Sequence, residues 1–169
     1  MRGKQHIIAG AAAAAAFYIA KDTGAGFAVG SIVWSLLPDI DTPESTIGHV
    51  VPVIPGLING RFGHRNVTHN IFFAAFFAGL YFLLHDEVWA GFFVGILTHL
   101  ILDTETYGGI QWFYPFVKKR LRLTKVKSGS FWCWPMSIIS SILIFFLIGG
   151  ISTSGILFVP VGQFFQIAA

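Results

Sequence analysis

Charged side chains cut the chain into long apolar intervals. Sixteen residues without Asp, Glu, Lys or Arg lie between Lys4 and Lys21, another 16 between Asp22 and Asp39, 20 between Arg65 and Asp86, and 15 between Glu87 and Asp103. The last 42 residues, after Lys127, carry no charge. These intervals predict apolar helices of roughly 15 to 20 residues, whereas a straight crossing of a hydrocarbon core needs about 20, so several are short for full spans. The shorter ones cross where the bilayer thins or polar ends reach the interface, or they pair as a hairpin returning to the same leaflet. In both cases each connection stays on the same side.

The pattern predicts an all-α, multi-pass membrane protein with four core helices plus a C-terminal span. Residues 1–135 form the four-helix core with its loops, and residues 136–169 form a C-terminal transmembrane or interfacial segment, with a fifth span from about Met136 to Ile151 and a tail interrupted by Pro160. Small residues, Ala11 to Ala16 in the first interval and Gly24, Gly26, Gly30 and Ser31 in the second, let those two helices approach closely. The third and fourth intervals are bulky and aromatic, with Phe72, Phe73, Phe76, Phe77, Tyr81, Phe82, Phe92 and Phe93 facing lipid or core. Arg2 and Lys4 ahead of an apolar stretch also describe a secretory signal peptide. Tyr18 breaks the small-x-small cleavage pattern before Ala20, so the first helix is expected to be retained.

Composition agrees with a lipid environment. Of 169 residues, 54% are hydrophobic and only 11% charged, against the roughly 25% charge of a water-soluble domain. The single cysteine, Cys133, excludes an internal disulfide framework and a thiolate metal cluster, so a metal site here must use nitrogen and oxygen ligands. The net charge of +3 sits largely in one stretch and reads as topology rather than as a nucleic-acid footprint. Threading the helices alternately puts Arg2, Lys4, Arg61, Arg65, Lys118, Lys119, Arg120, Arg122, Lys125 and Lys127 on one side and Lys21 alone on the other. By the positive-inside rule the ten-residue side is cytoplasmic.

The same thread gathers the polar residues that lipid should exclude. His6 opens the first helix, Asp39 and Asp41 close the second, His64 and His69 open the third, and His99 and Asp103 close the fourth, all at the cytoplasmic end. Ionisable groups are costly at a membrane, so these seven are functional candidates. His99 and Asp103, four apart, share a helical face and can give two ligands to one metal or one each to adjacent metals. Pro38 frees the helix end so that Asp39 and Asp41 can turn toward one point. His64 and His69 suit one ligand in the loop and one in the first turn, with Thr68 able to cap that helix. Arg65 beside them can clamp a phosphate or oxyanion with its planar fork, or can serve as one more cytoplasmic charge. Seven ligands exceed the four of a structural zinc, pointing to two ions, or to one ion plus a carboxylate general base. Mixed imidazole and carboxylate ligation suits zinc, manganese or iron. His85 falls on the opposite side and His49 in a loop, and both are read as bystanders.

Three strings, LLPDIDTP (36–43), GHRNVTHN (63–70) and THLILDTETYGGIQWFYPF (98–116), together with His6, closely resemble the YdjM-type inner-membrane proteins, a family described as metal-dependent hydrolases. The resemblance covers about residues 1–116 and implies a multi-helix membrane protein with a hydrolase-like metal site. The family is also described as LexA-binding, which makes LexA a partner by resemblance only. The usual HRGxTHS appears here as HRNVTHN, with Asn66 and Asn70 in place of a glycine and a serine. A weaker likeness, of HxxxD with scattered His and Asp on helices, is to zinc-dependent phospholipase C and related nucleases, which implies phosphodiester chemistry.

The surroundings favour an amphiphilic substrate. Trp112, Phe113, Tyr114, Trp132 and Trp134 are expected as interfacial anchors around the basic run KKRLRLTKVK, 118–127, which attracts anionic headgroups and equally serves the topology. The apolar segment VVPVIPGLI, 50–58, is expected as an interfacial lid or re-entrant loop. The expectation is therefore a metal-dependent hydrolase in the inner membrane, its site facing the cytoplasm, acting on a phosphoester of a phospholipid or similar amphiphile. Asp39 or Asp41 would accept the proton and Arg65 would neutralise developing charge. A non-catalytic membrane regulator with a structural metal is the alternative, and an ion or proton pathway is disfavoured because no ionisable residue lies midway along a helix.

Overall fold

The computed structural model describes residues 3–62 and 65–153, apart from the side chains of 62 and 148–153. Arg2, His64 and the tail 154–169 lie outside the described residues. Within them the chain is all helical: α1 (Gly3–Lys21), α2 (Ala25–Trp34), a 3₁₀ turn (Leu37–Asp41), α3 (Thr46–Val50), α4 (Val53–Phe62), α5 (Ile71–Leu84), α6 (Glu87–Thr104) and α7 (Cys133–Thr153). The long segment between α6 and α7 contributes one isolated antiparallel bridge, Ile110 with Leu121.

Four local readings change. The second interval does not run as one helix to Asp39. α2 stops at Trp34, and Pro38, which cannot donate a backbone hydrogen bond, enters a separate 3₁₀ turn that carries both aspartates. The 50–58 segment, expected as an interfacial lid or re-entrant loop, is helical from Val53 onward. Pro52 stands just ahead of α4 and Pro55 sits in its first turn, where a missing N–H leaves no bond unmade, so these prolines begin a helix. His49 accordingly lies on α3 and contacts the Ser45 carbonyl. Thr68 does not cap α5; Asn70 does, its side-chain oxygen accepting from the Phe73 N–H at 2.9 Å.

α6 is the central element. It packs along α2 and α5 and also meets α1, while α7 lies against α1. Gly91, Gly95, His99 and Asp103 recur every fourth residue and so form one stripe of α6. The glycines make the stripe shallow enough for α2. A Cβ on Gly91 would come within 2.3 Å of the Phe27 carbonyl oxygen, and one on Gly95 within 2.4 Å of the Ser31 carbonyl oxygen. Ser31 is also where α1 joins, its hydroxyl donating to the Gly10 carbonyl at 2.9 Å. Below this three-helix crossing the same stripe carries His99 and Asp103, and α1 carries His6 one turn from Gly10. Backbone approach at the small residues thus fixes where the polar end of each helix meets the others.

The apolar core of Leu37, Ala74, Phe77, Phe92, Ile96, Leu100 and Ile110 fills the space between α2, α5 and α6. Outward-facing positions are apolar as well: Val29, Val33, Phe72, Phe76, Phe82, Ile139, Leu143 and Phe146 are exposed, whereas His6, Ser31, His69, His99 and Asp103 are buried. Large apolar surface outside and ionisable groups inside is the distribution expected of a protein solvated by lipid. α6 is the one described helix long and apolar enough to cross a membrane, α5 and the apolar part of α7 (Cys133–Leu147) being shorter, so length and composition alone support one crossing.

Candidate metal centre

Three elements bring four side chains together. The 3₁₀ turn after α2 supplies Asp39, the loop before α5 supplies His69, and the last turns of α6 supply His99 and Asp103. One ligand atom from each lies within 4.8 Å of every other. His69 Nε2 stands 3.2 Å from His99 Nε2, 3.5 Å from Asp39 Oδ1 and 3.7 Å from Asp103 Oδ2. His99 Nε2 stands 3.7 Å from both of those carboxylate oxygens.

These separations have a specific meaning. The four imidazole–carboxylate distances are longer than ordinary hydrogen bonds, yet the atoms converge. Donors placed about 2.0 to 2.2 Å from the centre of a tetrahedron are separated by about 3.3 to 3.6 Å, which is the spacing zinc ligands adopt. Tautomers point the same way. His99 Nδ1 contacts the Ser35 carbonyl oxygen at 2.7 Å, an acceptor only, so Nδ1 carries the proton and a neutral His99 presents a bare Nε2 to the cluster. His69 Nδ1 faces the Thr68 hydroxyl at 3.0 Å and Asp41 Oδ2 at 3.7 Å, which favours the same tautomer. Two imidazole nitrogens and two carboxylate oxygens then lie within 4.8 Å of one another, a gathering of electron-rich atoms that a cation relieves. Asp39, His69, His99 and Asp103 can therefore hold a metal ion.

Burial and charge are consistent with that use. His69 is fully buried, and burial pushes its imidazole below the usual histidine range against the pull of the Asp39 carboxylate. Burial alone would raise Asp39, but the imidazoles of His99 and His69 outweigh it and hold the carboxyl below its ordinary value. Asp39, with 13% of its side chain exposed, and Arg65, with 11%, are the cluster's contacts with solvent, while the side chains of His6, His69, His99 and Asp103 are inaccessible.

The remaining candidates surround the cluster. Arg65 Nη2 pairs with Asp103 Oδ2 at 2.7 Å. Its backbone is left-handed, with φ of 61°, and its N–H donates to Asp41 Oδ2 at 2.7 Å. Asp41 also accepts from the Thr42 hydroxyl at 3.0 Å. Its carboxylate thus lies on the Nδ1 side of His69, away from the four converging atoms, and holds the 65–69 loop against the 3₁₀ turn. His6 stacks on His99 with ring centroids 3.7 Å apart, and its Nε2 stands 3.6 Å from Asp103 Oδ1, the carboxylate oxygen turned away from His69 and His99. Neither ring nitrogen of His6 makes a hydrogen bond although both are buried. His64 lies outside the described residues. His85 ends α5, about 20 Å along its axis from the site.

Sequence patterns did not single out two contributors. The Ser35 carbonyl orients His99, and a backbone acceptor leaves no residue signature. Gly108 makes room for Arg65: a Cβ there would lie 2.7 Å from Nη1. The Gly108–Gly109 pair just after the HxxxD helix was the available signal.

The sequence profile described as "YdjM inner membrane protein" matches residues 1–164. The chain is 38% identical over 136 residues to the "Uncharacterized protein YvsG" of Bacillus subtilis, covering 78% of this chain and 84% of that protein. It is 32% identical over 92 residues to the "Inner membrane protein YdjM" of Escherichia coli, covering 50% of this chain and 47% of that protein. No solved structure matches.

Proposed function

Since the chain belongs to the YdjM inner membrane protein family, we propose that it is a multi-pass enzyme of the cytoplasmic membrane that hydrolyses a phosphoester of a phospholipid or similar amphiphile at a metal centre open to the cytoplasm. The observation that carries the reading is the convergence of His69 Nε2, His99 Nε2, Asp39 Oδ1 and Asp103 Oδ2 beside an arginine. A bound divalent ion, zinc by donor set with manganese and iron as alternatives, would supply an acidified water and polarise a phosphoryl oxygen.

The chain's own groups then have distinct tasks. Arg65 Nε is buried without a hydrogen bond, so the guanidinium keeps a donor for a phosphoryl oxygen. Asp39 Oδ2, on the carboxylate that keeps solvent contact, accepts the proton of the attacking water, while Asp41 positions Arg65 and His69. Asp103 presents Oδ2 to His69 and His99 and Oδ1 toward His6, so Asp103 and His6 would hold a second ion if two are bound. The ten-to-one distribution of Lys and Arg supports the cytoplasmic orientation.

One observation favours the alternative of a regulator with a structural metal: four converging donors equal the full set of a closed zinc site. Arg65→Lys separates the two. It keeps the charge and loses the fork. The enzyme reading expects unchanged metal content with phosphodiester turnover slowed about 30-fold to 1000-fold, the effect of removing one preorganised donor. Metal-loaded wild type with no turnover of phosphodiesters, phosphomonoesters or phospholipids supports the regulator instead.

A further inference from the structure

Beside the metal centre a groove of about 560 Å³ runs along the outer face of α5, lined by Val67, Phe72, Phe73, Phe76, Tyr114 and Phe116. The Ile71 N–H donates to the Trp112 carbonyl at 2.9 Å and pins the 112–116 segment beside the first turn of α5. Phe72 meets Phe116 edge to face, with ring centroids 5.6 Å apart, and closes one side. Phe72 and Phe76, one turn apart, nevertheless remain 48% and 60% exposed, so the chain does not fill the groove itself. From Asn70 to Phe76 it extends about 9 Å along the helix axis, well within one leaflet of a hydrocarbon core roughly 30 Å thick.

One wall of the groove follows the apolar first turns of α5. Lys118 and Lys119 follow the lining residue Phe116 by two and three residues and are exposed. The loop that turns Arg65 and His69 toward the metal cluster also turns Val67 and Asn70 into the groove wall. We propose that this groove holds an acyl chain of an anionic phospholipid whose headgroup phosphate is bound by Lys118 and Lys119.

The charge pattern selects that occupant. A second copy of the chain would bring its own basic run against this one, with like charges opposed. The segment 154–169 has no acidic residue to meet the lysines. A lipid supplies both an apolar tail and an anion, and each basic residue near such a surface adds about a 5-fold preference for the anionic headgroup. The proposal deepens the phosphoester reading, on which its choice of ligand rests, by naming the class of amphiphile.

The test uses the full chain in phosphatidylcholine nanodiscs doped with phosphatidylglycerol bearing a diazirine on one acyl chain, with labelled peptides identified after illumination. The expected result is labelling concentrated on residues 67–76 and 112–117, competed by unlabelled phosphatidylglycerol and not by added phosphatidylcholine. Lys118→Gln and Lys119→Gln should each reduce it about 5-fold. Phe76→Trp, at an exposed position the fold tolerates, should displace the label by filling the groove. Labelling spread evenly over the outer faces of α5 and α7, equal competition by both lipids, or occupation of the groove by 154–169 or a second copy would overturn the proposal. Labelling is scored separately from turnover. Phosphoester hydrolysis without selective labelling sinks the groove alone, and selective labelling without any hydrolysis supports the groove while removing the enzymatic reading.

Discussion

His69 shows how one residue connects sequence, burial and chemistry. Its Nε2 belongs to the cluster, its Nδ1 faces Thr68 and Asp41, and no part of its side chain reaches solvent. Because burial lowers its folded pKa, the unfolded chain takes up the proton first. Stability is then fully present above the unfolded value of about 6.5 and is lost as pH falls through the lowered folded value. Asp39, also lowered, loses its contribution in a more acidic window, below the usual carboxylate range. Thermal melts of chelator-treated protein should therefore show stability falling as pH drops below about 6.5, by up to about 1.4 kcal/mol per unit for the histidine proton. His69→Gln should flatten that slope, and an unchanged slope would place the acid sensitivity elsewhere. At this scale the pattern of residues was readable where chemistry and helical spacing coincide, as for His99 and Asp103. It was not readable where one carboxylate of a pair turns to a backbone N–H, as Asp41 does, since Asp39 and Asp41 are the same residue type two positions apart.

The α2–α6 contact sets the site's geometry from a distance. Gly95 stands one turn from His99, and a Cβ there would lie 2.4 Å from the Ser31 carbonyl oxygen and 2.9 Å from the Ser35 nitrogen. Gly95→Ala must push α2 outward and carry the Ser35 carbonyl away from His99 Nδ1. We expect a loss of about 1 to 3 kcal/mol from overpacking, together with weaker metal retention. Gly79→Ala is the control, because on α5 a Cβ would meet nothing within 4 Å. Equal metal retention in both variants would separate the glycine stripe from the site. Apolar intervals revealed α1, α5, α6 and α7 because long uncharged runs have few other uses. α3, five residues long, was too short to show a period, and α4 was hidden because Pro52 and Pro55 read as breaks until the chain's path shows them at a helix start.

Taken whole, the molecule is ordered by where its few ionisable groups can be satisfied. Apolar side chains cover α2, α5 and α7 outside, and the buried histidines and aspartates meet at one end of the bundle, where the 3₁₀ turn, the loop before α5 and the end of α6 converge. Alternate threading of the apolar intervals led to the expectation of this convergence at one end. Packing decided its depth, closing His6 beneath His99 and leaving Asp39 and Arg65 at the opening. The metal content of the detergent-purified chain after exhaustive dialysis tests the central claim most directly. Wild type should retain at least one divalent ion per chain, His99→Ala and Asp103→Ala should lose it, and His85→Ala at the far end should keep it. A metal-free wild type, or equal occupancy in all four proteins, would contradict the account.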